Sequence, residues 1–374
     1  MSRQAINEVL VYLRHLITPR FDYGAVVRAN SIEDPKPDSL HEDQLVARIA
    51  KAYRAACEDD QLATEPYQAG GYWTSYTKGV SPSIKAALED DVPALRDLLR
   101  NFLNGPSSKG MYNYRILEGW TPSVVNNINL WLNDAESYLE RGNFSFDDLI
   151  GAPTFGAPTT FVVGGKRIMW SAPNHRFQAL QTRDILKDTP KPTVLEIGGG
   201  FGGMASFLLD DGIATYINLD LPEQLINASY YLGMANPDRN LVLYGEGNIP
   251  SDFSDIEGIF LLPNFCLPKL GEMSVDATVN FISLSEMPRL TVDEYIRQIM
   301  RVTRTFFYHK NSNVALDRKT HTEVPASKFN IDNNLFKNIA WRESDVLKIN
   351  ATRYVEALYQ RVDSRTQANK DRAF

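Results

Sequence analysis

This 374-residue sequence has only two cysteines and five histidines, and it has no long uninterrupted hydrophobic run. Cys57 and Cys266 lie far apart and are too few for a disulfide framework, which favours a reducing, cytoplasmic setting. No continuous apolar stretch follows Met1, so neither a signal peptide nor a membrane span is predicted. The hydrophobic content of 43% is ordinary for a globular protein, and the length is sufficient for two domains.

The chain also lacks an excess of basic residues. Its 39 Lys and Arg residues are outnumbered by 46 Asp and Glu residues, which gives a net charge of −7. Phosphate binding needs a basic surface, so this balance disfavours a nucleic acid as the substrate. We therefore expect a small-molecule substrate, with no nucleic-acid or membrane partner.

Glycine is concentrated in one informative stretch, Val194-Leu-Glu-Ile-Gly-Gly-Gly-Phe-Gly-Gly203. The pattern predicts a buried strand, a glycine-rich turn and then a helix. Because glycine has no Cβ and tolerates positive φ, a nucleotide-like ligand can approach such a turn closely. The spacing of Gly198, Gly200 and Gly203 also fits a dinucleotide site. However, Glu196 lies in the strand, where dinucleotide folds usually carry an apolar residue, and its carboxylate suits a cation such as an amino group.

A second predicted strand, Thr215 to Asp220, ends in an acid about twenty residues after the glycines. This is the expected distance for a carboxylate that accepts hydrogen bonds from both ribose hydroxyls. Together, Glu-x-Gly-Gly-Gly and Asp220 resemble the cofactor half of class I S-adenosylmethionine-dependent methyltransferases. A nicotinamide or flavin enzyme is one alternative, and a glycine turn that only packs a helix on a sheet is another.

Residues 1–145 are predicted to form a mainly helical N-terminal domain, because apolar residues recur there at helical spacing. The domain is expected to shape the acceptor pocket. Its apolar stripes are interpreted as core packing, with a homodimer surface as the alternative. Residues 146–189 are expected to be a connector with a hairpin and a helix. The stripes run over 6–17, 45–56, 95–102 and 124–139, and the hairpin covers 160–170 with a Gly164-Gly165 turn.

Strands alternate with helices from residue 190 onward, which predicts a doubly wound α/β domain over 190–363 and a polar tail over 364–374. Ala277 to Leu284 is predicted as the fourth strand and Thr305 to Lys310 as the fifth. The last two strands are expected within Trp341 to Val362.

Two segments compete for the third parallel strand. Ile256 to Pro263 precedes the next strand at a normal interval and is preferred, which makes Leu241 to Gly245 an inserted hairpin arm. This choice places Asn264 and Phe265 beside the nucleoside base of a bound cofactor. The reverse choice would place Glu246 there.

Three later features resemble the sugar O-methyltransferase family, a branch of class I: Asn280 to Met287, Tyr295 in the next helix, and Phe306 to Asn311. The resemblance is specific over about 190–311. In the N-terminal half it is limited to Tyr72-Trp73 and the hairpin. It implies a Rossmann-like seven-stranded sheet preceded by a helical region. S-adenosyl-L-methionine would lie across the carboxyl ends of the first strands, where open α/β sheets bind ligands.

The same resemblance implies a set of cofactor-binding residues. Glu196, Gly198 and Gly200 would line the methionine end, and Asp220 would hold the ribose. Ser283, near the end of the fourth strand, would lie close to the cofactor. With the preferred third strand, Asn264 and Phe265 complete the set at the adenine.

Transfer of a methyl group to a hydroxyl is assisted by a base that takes the proton. His309 is the first candidate, because it is predicted to end the fifth strand and can titrate near neutral pH. Glu286 follows the fourth strand, and His175 lies in the connector expected to overhang the site. A divalent metal near the acceptor would need carboxylates such as Asp276, Glu286 and Asp317, but their spacing indicates no site and none is assigned.

The sequence therefore predicts an S-adenosylmethionine-dependent O-methyltransferase that acts on a sugar or a glycosylated secondary metabolite. One alternative is transfer to nitrogen or carbon of a non-sugar natural product. Another is a non-catalytic cofactor-binding protein whose helical half mediates assembly. The nicotinamide alternative is disfavoured by Glu196.

Overall fold

The computed structural model describes residues 27–29, 39–70, 73, 81–105, 107, 152–163, 166–169, 171–314, 322–343 and 354–362. The predicted helical stripes over 6–17 and 124–139, the Gly164-Gly165 turn and the polar tail lie outside these residues. The helices are α1 (Ser39–Asp60), α2 (Ser81–Leu88), α3 (Val92–Leu99), α4 (Ala172–Leu186), α5 (Gly203–Asp210), α6 (Pro222–Ala235) and α7 (Arg289–Val302). The strands are β1 (Val27–Ala29), β2 (Thr160–Val163), β3 (Lys166–Met169), β4 (Thr193–Ile197), β5 (Thr215–Asp220), β6 (Leu241–Leu243), β7 (Gly258–Pro263), β8 (Val275–Phe281), β9 (Thr303–Ser312), β10 (Phe336–Glu343) and β11 (Tyr354–Arg361).

A mostly parallel sheet forms the centre of the molecule, in the order β10-β11-β9-β8-β4-β5-β7-β6. Strands β4 to β9 pair in parallel, and β11 pairs antiparallel with both β9 and β10. The order reverses at β4, which lies between β5 and β8. This reversal creates a crevice at the carboxyl ends of the strands, the place where doubly wound sheets bind ligands.

Within the described residues the sheet has eight strands, so the predicted count of seven was wrong. The additional strand is β6, which pairs in parallel with β7 at the edge of the sheet. The prediction that this segment is an inserted hairpin arm was therefore also wrong. The preferred third strand is confirmed, because β7 pairs in parallel with β5.

Both faces of the sheet are covered, which explains why its central strands are nearly continuous apolar runs. All five residues of β4 are buried. Val194 joins a core cluster with residues of α1 to α6, whereas Leu195 and Ile197 face a second cluster with α7. The buried residues of α7 recur at helical spacing: Val292, Tyr295, Ile296, Ile299 and Val302.

The described part of the N-terminal half packs on the sheet domain through α1. The predicted stripe of this helix is buried: Leu45, Val46, Ile49, Tyr53 and Ala56. Glu42, in the first turn, is fully buried and accepts hydrogen bonds from Arg100 after α3 and from Tyr230 of α6. An unpaired buried carboxylate would be costly, so these bonds fix α1 against both elements.

Two further features define local structure in this half. Asp91 caps α3, because its carboxylate accepts a hydrogen bond from the Ala94 N–H at 3.0 Å. Strands β2 and β3 pair antiparallel as the predicted hairpin, and β1 adds a third strand to it. Among the described helices, none is long and apolar enough to cross a lipid bilayer.

Candidate functional site at the carboxyl edge of the sheet

The glycine turn after β4 has the backbone conformation that glycine permits. Gly198, Gly200 and Gly202 have φ values of +71°, +56° and +87°, a region that L side chains rarely adopt. A Cβ on Gly198 would lie 2.8 Å from the Cβ of Ser283. Glycine is therefore required at this position both by the backbone and by the close approach of the loop after β8.

Side chains of β5 hold this turn from the neighbouring strand. The Asn218 side-chain oxygen accepts a hydrogen bond from the Gly199 N–H at 3.1 Å. A carboxylate oxygen of Asp220 accepts one from the Gly200 N–H at 2.8 Å. The turn is thus fixed before any ligand arrives, which lowers the entropy cost of binding.

Glu196 is buried inside β4 and pairs with one side chain of the neighbouring strand. Its carboxylate accepts a hydrogen bond from the Tyr216 hydroxyl, and only 4% of the residue is exposed. Burial raises the pKa of Glu196 to about 7, although the hydrogen bond from Tyr216 opposes the shift. The arrangement leaves a carboxyl group in a low-dielectric setting, where a cationic ligand group would interact strongly with its ionised form.

Asp220 ends β5 at the crevice. Its two carboxylate oxygens accept hydrogen bonds from the Gly200 and Leu221 N–H groups, both at 2.8 Å. Burial raises the pKa of Asp220 to about 7, with these two hydrogen bonds acting in the opposite direction. Asp220 therefore links the glycine turn to the start of α6, and its assignment to the ribose stays a prediction.

Asn264 lies beside Asp220. Pro263, the last residue of β7, is the register partner of Asp220, and Asn264 follows it. The Asn264 amide donates a hydrogen bond to the Tyr67 carbonyl at 2.7 Å. Asn264 therefore lies at the crevice, and its contact to Tyr67 brings in the N-terminal half.

Phe265 and Glu246 have other contacts, to Tyr244 and Arg48 respectively. The Phe265 ring packs edge-on against Tyr244, with the ring centroids 5.4 Å apart, and it belongs to the core cluster on the α7 face. Glu246 accepts two hydrogen bonds from the Arg48 guanidinium, at 2.6 and 2.8 Å. That ion pair joins α1 to the edge of the sheet near β6, so Glu246 has a structural partner.

The loop after β8 carries Ser283 to the glycine turn. The strand ends at Phe281 rather than at Leu284 as predicted, because Ile282 has φ +78° and Ser283–Glu286 form a 3-10 turn. Such a backbone conformation is costly for a β-branched residue and occurs mostly at functional sites. The Ser283 hydroxyl donates a hydrogen bond to the Ile197 carbonyl at 3.2 Å and therefore lies against the glycine turn.

Two buried asparagines, missed from the sequence, hold this loop. Asn280 donates to the Ile197 carbonyl at 2.8 Å and to Ser283 Oγ at 2.6 Å. Asn311 donates to Asn280 Oδ1 at 2.7 Å and accepts from the Ser285 N–H at 3.0 Å. A polar residue inside a fully buried strand is the signal that could have identified Asn280 and Asn311.

Glu286 ends the same 3-10 turn and faces the N-terminal half. Its carboxylate accepts a hydrogen bond from the Trp73 indole N–H at 3.2 Å. Burial raises the pKa of Glu286 to about 7, while the bond from Trp73 opposes the shift. The negative charge of Glu286 also contributes to the raised pKa of Tyr354, which places that phenol nearby. A carboxyl group that titrates near neutral pH suits proton transfer.

His309 does not end β9, so the predicted position was wrong. The strand continues to Ser312, because Asn311 and Ser312 bond to the loop after β8. The His309 ring is fully buried against Phe307, Phe329 and Tyr359. This burial lowers the pKa of His309 to about 3, which contradicts the expected titration near neutral pH.

The buried imidazole should make the protein sensitive to acid. His309 stays neutral in the folded state, whereas an unfolded histidine binds a proton below about pH 6.5, so stability is lost as the pH falls from that value towards about 3. In urea denaturation, the stability of His309→Phe relative to wild type should be about 2 kcal/mol higher at pH 5 than at pH 7.5, because the variant has no imidazole to protonate on unfolding. An equal difference at both pH values would contradict the neutral assignment.

His175 lies in the first turn of α4, beside the glycine turn as predicted for the connector. Its ring packs edge-on against Phe201 at 5.4 Å between centroids, and Nδ1 faces Gly203 so closely that a Cβ there would collide with it. Burial lowers the pKa of His175 to about 4. Because the neutral ring is the stable form near neutral pH, its position suits contact with the turn better than proton uptake.

The N-terminal half closes one side of the crevice through the segment 61–70, which follows α1. The Tyr67 hydroxyl donates to a Glu294 carboxylate oxygen at 2.6 Å, and its ring lies 5.6 Å from that of Tyr295. Gly70 lies against Pro288, since an added Cβ would be 3.0 Å from the proline Cγ. These contacts join residues more than 200 positions apart and could not be seen from local patterns.

Asp276 and Glu286, two of the three candidate metal ligands, do not come together. Asp276 lies near the start of β8, at the opposite end of the strand from Glu286, where it accepts hydrogen bonds from Thr193 N–H and Arg304. Asp317 lies outside the described residues. Within the described ranges, no group of three or more His, Cys, Asp or Glu side chains is arranged to hold a metal ion.

Comparison with known proteins gives matches only among solved structures; no family model and no curated protein matches the sequence. A magnesium protoporphyrin IX methyltransferase from Synechocystis PCC 6803, solved with bound SAH, is 12% identical with a TM-score of 0.36, covering 63% of this chain and 98% of that one. A geranyl diphosphate methyltransferase in complex with SAM is 12% identical with a TM-score of 0.36, covering 50% and 85%. The [4+2]-cyclase SpnF is 12% identical with a TM-score of 0.38, covering 51% and 82%. At 12% identity and TM-scores below 0.5, these likenesses carry no argument about the function of this chain.

Proposed function

We propose that this chain is an S-adenosylmethionine-dependent O-methyltransferase that acts on a hydroxyl of a sugar or of a glycosylated secondary metabolite. The observation that carries the proposal is the position of Glu286. This carboxyl group, with a pKa of about 7, follows β8 at the same sheet edge as Glu196, the glycine turn and Asp220. Such an array combines a nucleoside-type site with a base.

The residues at this edge fit the cofactor. Glu196 and Asp220 are buried carboxyl groups with raised pKa values. A cationic or hydrogen-bonding ligand would offset the free-energy cost of ionising them in the interior. Glu196 would hold the amino group, Asp220 the ribose hydroxyls, and Asn264 would contact the adenine. Gly198 lets the ligand approach the backbone. When bound, S-adenosylmethionine supplies a methyl group on an electrophilic sulfonium centre.

The chain contributes orientation and a proton acceptor. A hydroxyl is a poor nucleophile until its proton is leaving, and a Glu286 oxygen within hydrogen-bond reach would take that proton. The Trp73 indole N–H bonds the carboxylate and fixes its direction. The segment 61–70 and Trp73 cover the crevice and would help to exclude water from the reacting groups.

The side chains around Glu286 support a sugar as the acceptor. Trp73 bonds to the carboxylate, and Tyr354 is close enough for its pKa to respond to the Glu286 charge. Aromatic rings can stack on the C–H faces of a pyranose, and a carboxylate accepts hydrogen bonds from its hydroxyls. A nitrogen acceptor that binds in its neutral form would not need a base of this kind.

The cofactor assignment is tested by titration calorimetry with S-adenosylhomocysteine. Wild type should bind, and Asp220→Ala should bind roughly 100-fold more weakly or not at all, because hydrogen bonds to a charged group contribute about 1.5–3 kcal/mol each. The exposed Asp238 supplies a control, and Asp238→Ala should bind like wild type. If wild type fails to bind, or if Asp220→Ala binds as tightly, the cofactor assignment is wrong.

A further inference from the structure

The last turn of α1 lies over the base-binding end of the crevice. Tyr53 and Ala56 line one cavity together with Pro222 and Pro263. Pro222 follows Asp220 by two residues, and Pro263 is its register partner on β7. Asp60 is the last residue of α1, one helical turn after Ala56. Asp60 lies at the same end of the crevice as Asp220 and Asn264, because all three act on the pKa of Tyr295.

Asp60 carries an acceptor that has no donor among the residues that the structure describes. Its Oδ1 is shielded from solvent and has no hydrogen-bond partner among the described residues. Burial raises the pKa of Asp60 above its ordinary value. The Asp60 charge in turn contributes to the raised pKa values of Tyr295 and Glu223, which places it near both. Shielding a carboxylate without a donor costs free energy, which a ligand donor would recover.

Two buried acceptors at this end have no donor among the described residues, Asp60 Oδ1 and Asn264 Oδ1. Both oxygens of Asp220 accept backbone N–H groups, and Asp220 is assigned to the ribose. Glu223 accepts a hydrogen bond from its own backbone N–H. A purine amino group offers two N–H donors, one for each free acceptor. Of the two acceptors, only Asp60 is a carboxylate, so it would form the stronger hydrogen bond.

We propose that Asp60 accepts a hydrogen bond from the exocyclic amino group of the purine, and that it thereby selects adenine over a 6-oxopurine. The inference rests on the proposed function, since it names a further ligand of the same cofactor site. A 6-oxo group presents an acceptor to the carboxylate instead of a donor. Two facing acceptors repel and leave both unpaired, which is the usual origin of strong discrimination.

The test compares two ligands on three proteins by titration calorimetry. The ligands are S-adenosylhomocysteine and S-inosylhomocysteine, which differ at the purine 6-position. The proteins are wild type, Asp60→Asn and the matched control Asp59→Asn. Asp59 precedes Asp60 on the same helix, but its carboxylate accepts from the Tyr244 hydroxyl on the exposed side. Thermal melts of the three proteins check that they are folded.

Wild type should prefer the adenosyl ligand by about tenfold or more, as expected when one hydrogen bond to a charged group is replaced by a repulsive contact. In Asp60→Asn this preference should fall towards unity, because an amide can turn to accept from an amino group or to donate to an oxo group. Asp59→Asn should keep the wild-type ratio. A ratio in Asp60→Asn equal to that of wild type would overturn the inference while leaving the cofactor assignment intact. Absence of adenosyl binding by wild type would overturn both.

Discussion

Replacing Glu286 by glutamine should lower kcat for methyl transfer by about 10²–10⁴-fold, the range attributed to a positioned general base. Glutamine keeps the shape of the side chain and can still pair with Trp73, but it cannot take a proton. Binding of S-adenosylhomocysteine should be unchanged, because Glu286 lies in the loop after β8 and not among the groups assigned to the cofactor. The measurement is single-turnover kinetics with a methyl-accepting sugar derivative, alongside calorimetry.

The pH profile separates a base from a residue that only binds the acceptor. A carboxyl group with a pKa of about 7 is protonated below that pH, so the rate should fall as the pH drops below 7 and should level off above it. This fall in rate below pH 7 should be absent in Glu286→Gln. In Trp73→Phe it should move to higher pH, because the indole N–H bond lowers the pKa of Glu286. Glu272→Gln, on the exposed surface, should retain the wild-type profile. Full activity of Glu286→Gln would refute the assignment of the base.

Replacing Gly198 by alanine should destabilise the protein by about 2–5 kcal/mol and weaken S-adenosylhomocysteine binding more than about tenfold. The φ of +71° is one cause, since L residues pay about 1–2 kcal/mol there. The other is the collision of the new Cβ with Ser283, a form of overpacking that typically costs about 1–3 kcal/mol. Urea denaturation and calorimetry measure the two effects.

A control variant and a double variant separate the backbone cost from the cost of the collision with Ser283. Gly212 has φ +90°, and a Cβ there would meet no atom within 4 Å, so Gly212→Ala should show the backbone cost alone and no loss of binding. Adding Ser283→Gly to Gly198→Ala removes the collision but not the backbone cost, and should restore part of the stability. If the double variant is no more stable than Gly198→Ala, the contact between the turn and the loop after β8 does not limit this position.

The elements around the glycine turn could be predicted closely from the sequence. β5 matches its predicted bounds and β4 begins one residue earlier than predicted, because short buried apolar runs bounded by turn residues are a strong signal. β6 was misread because it is three residues long, and so short a run carries no information on whether its pairing is parallel. Ile282 was placed inside a strand, since an apolar β-branched residue gives no local sign of a positive φ.

The acid–base groups were harder to assign than the cofactor groups. Asn311 and Ser312 look like loop residues, but hydrogen bonds to the loop after β8 keep them in β9. That extension moves His309 from the end of the strand to its interior. Asp60 and Tyr67 could not be placed at the crevice from the sequence, because their contacts join distant segments. Hydrophobic periodicity predicts local elements and gives no sign of such contacts. Local patterns thus predicted the glycine turn at the carboxyl edge of the sheet, whereas long-range contacts determine which residues surround it.

The bond between the Asn264 amide and the Tyr67 carbonyl means that the boundary near residue 190 divides the sequence but not the site. A fragment that starts there would keep the glycine turn and Asp220, yet it would lack the wall supplied by α1 and the segment 61–70. Linkage is reciprocal, so a ligand that bridges both halves must tighten their association as much as that association tightens the ligand. The fraction of molecules in which the N-terminal half is docked should therefore rise with ligand concentration, although both halves belong to one chain.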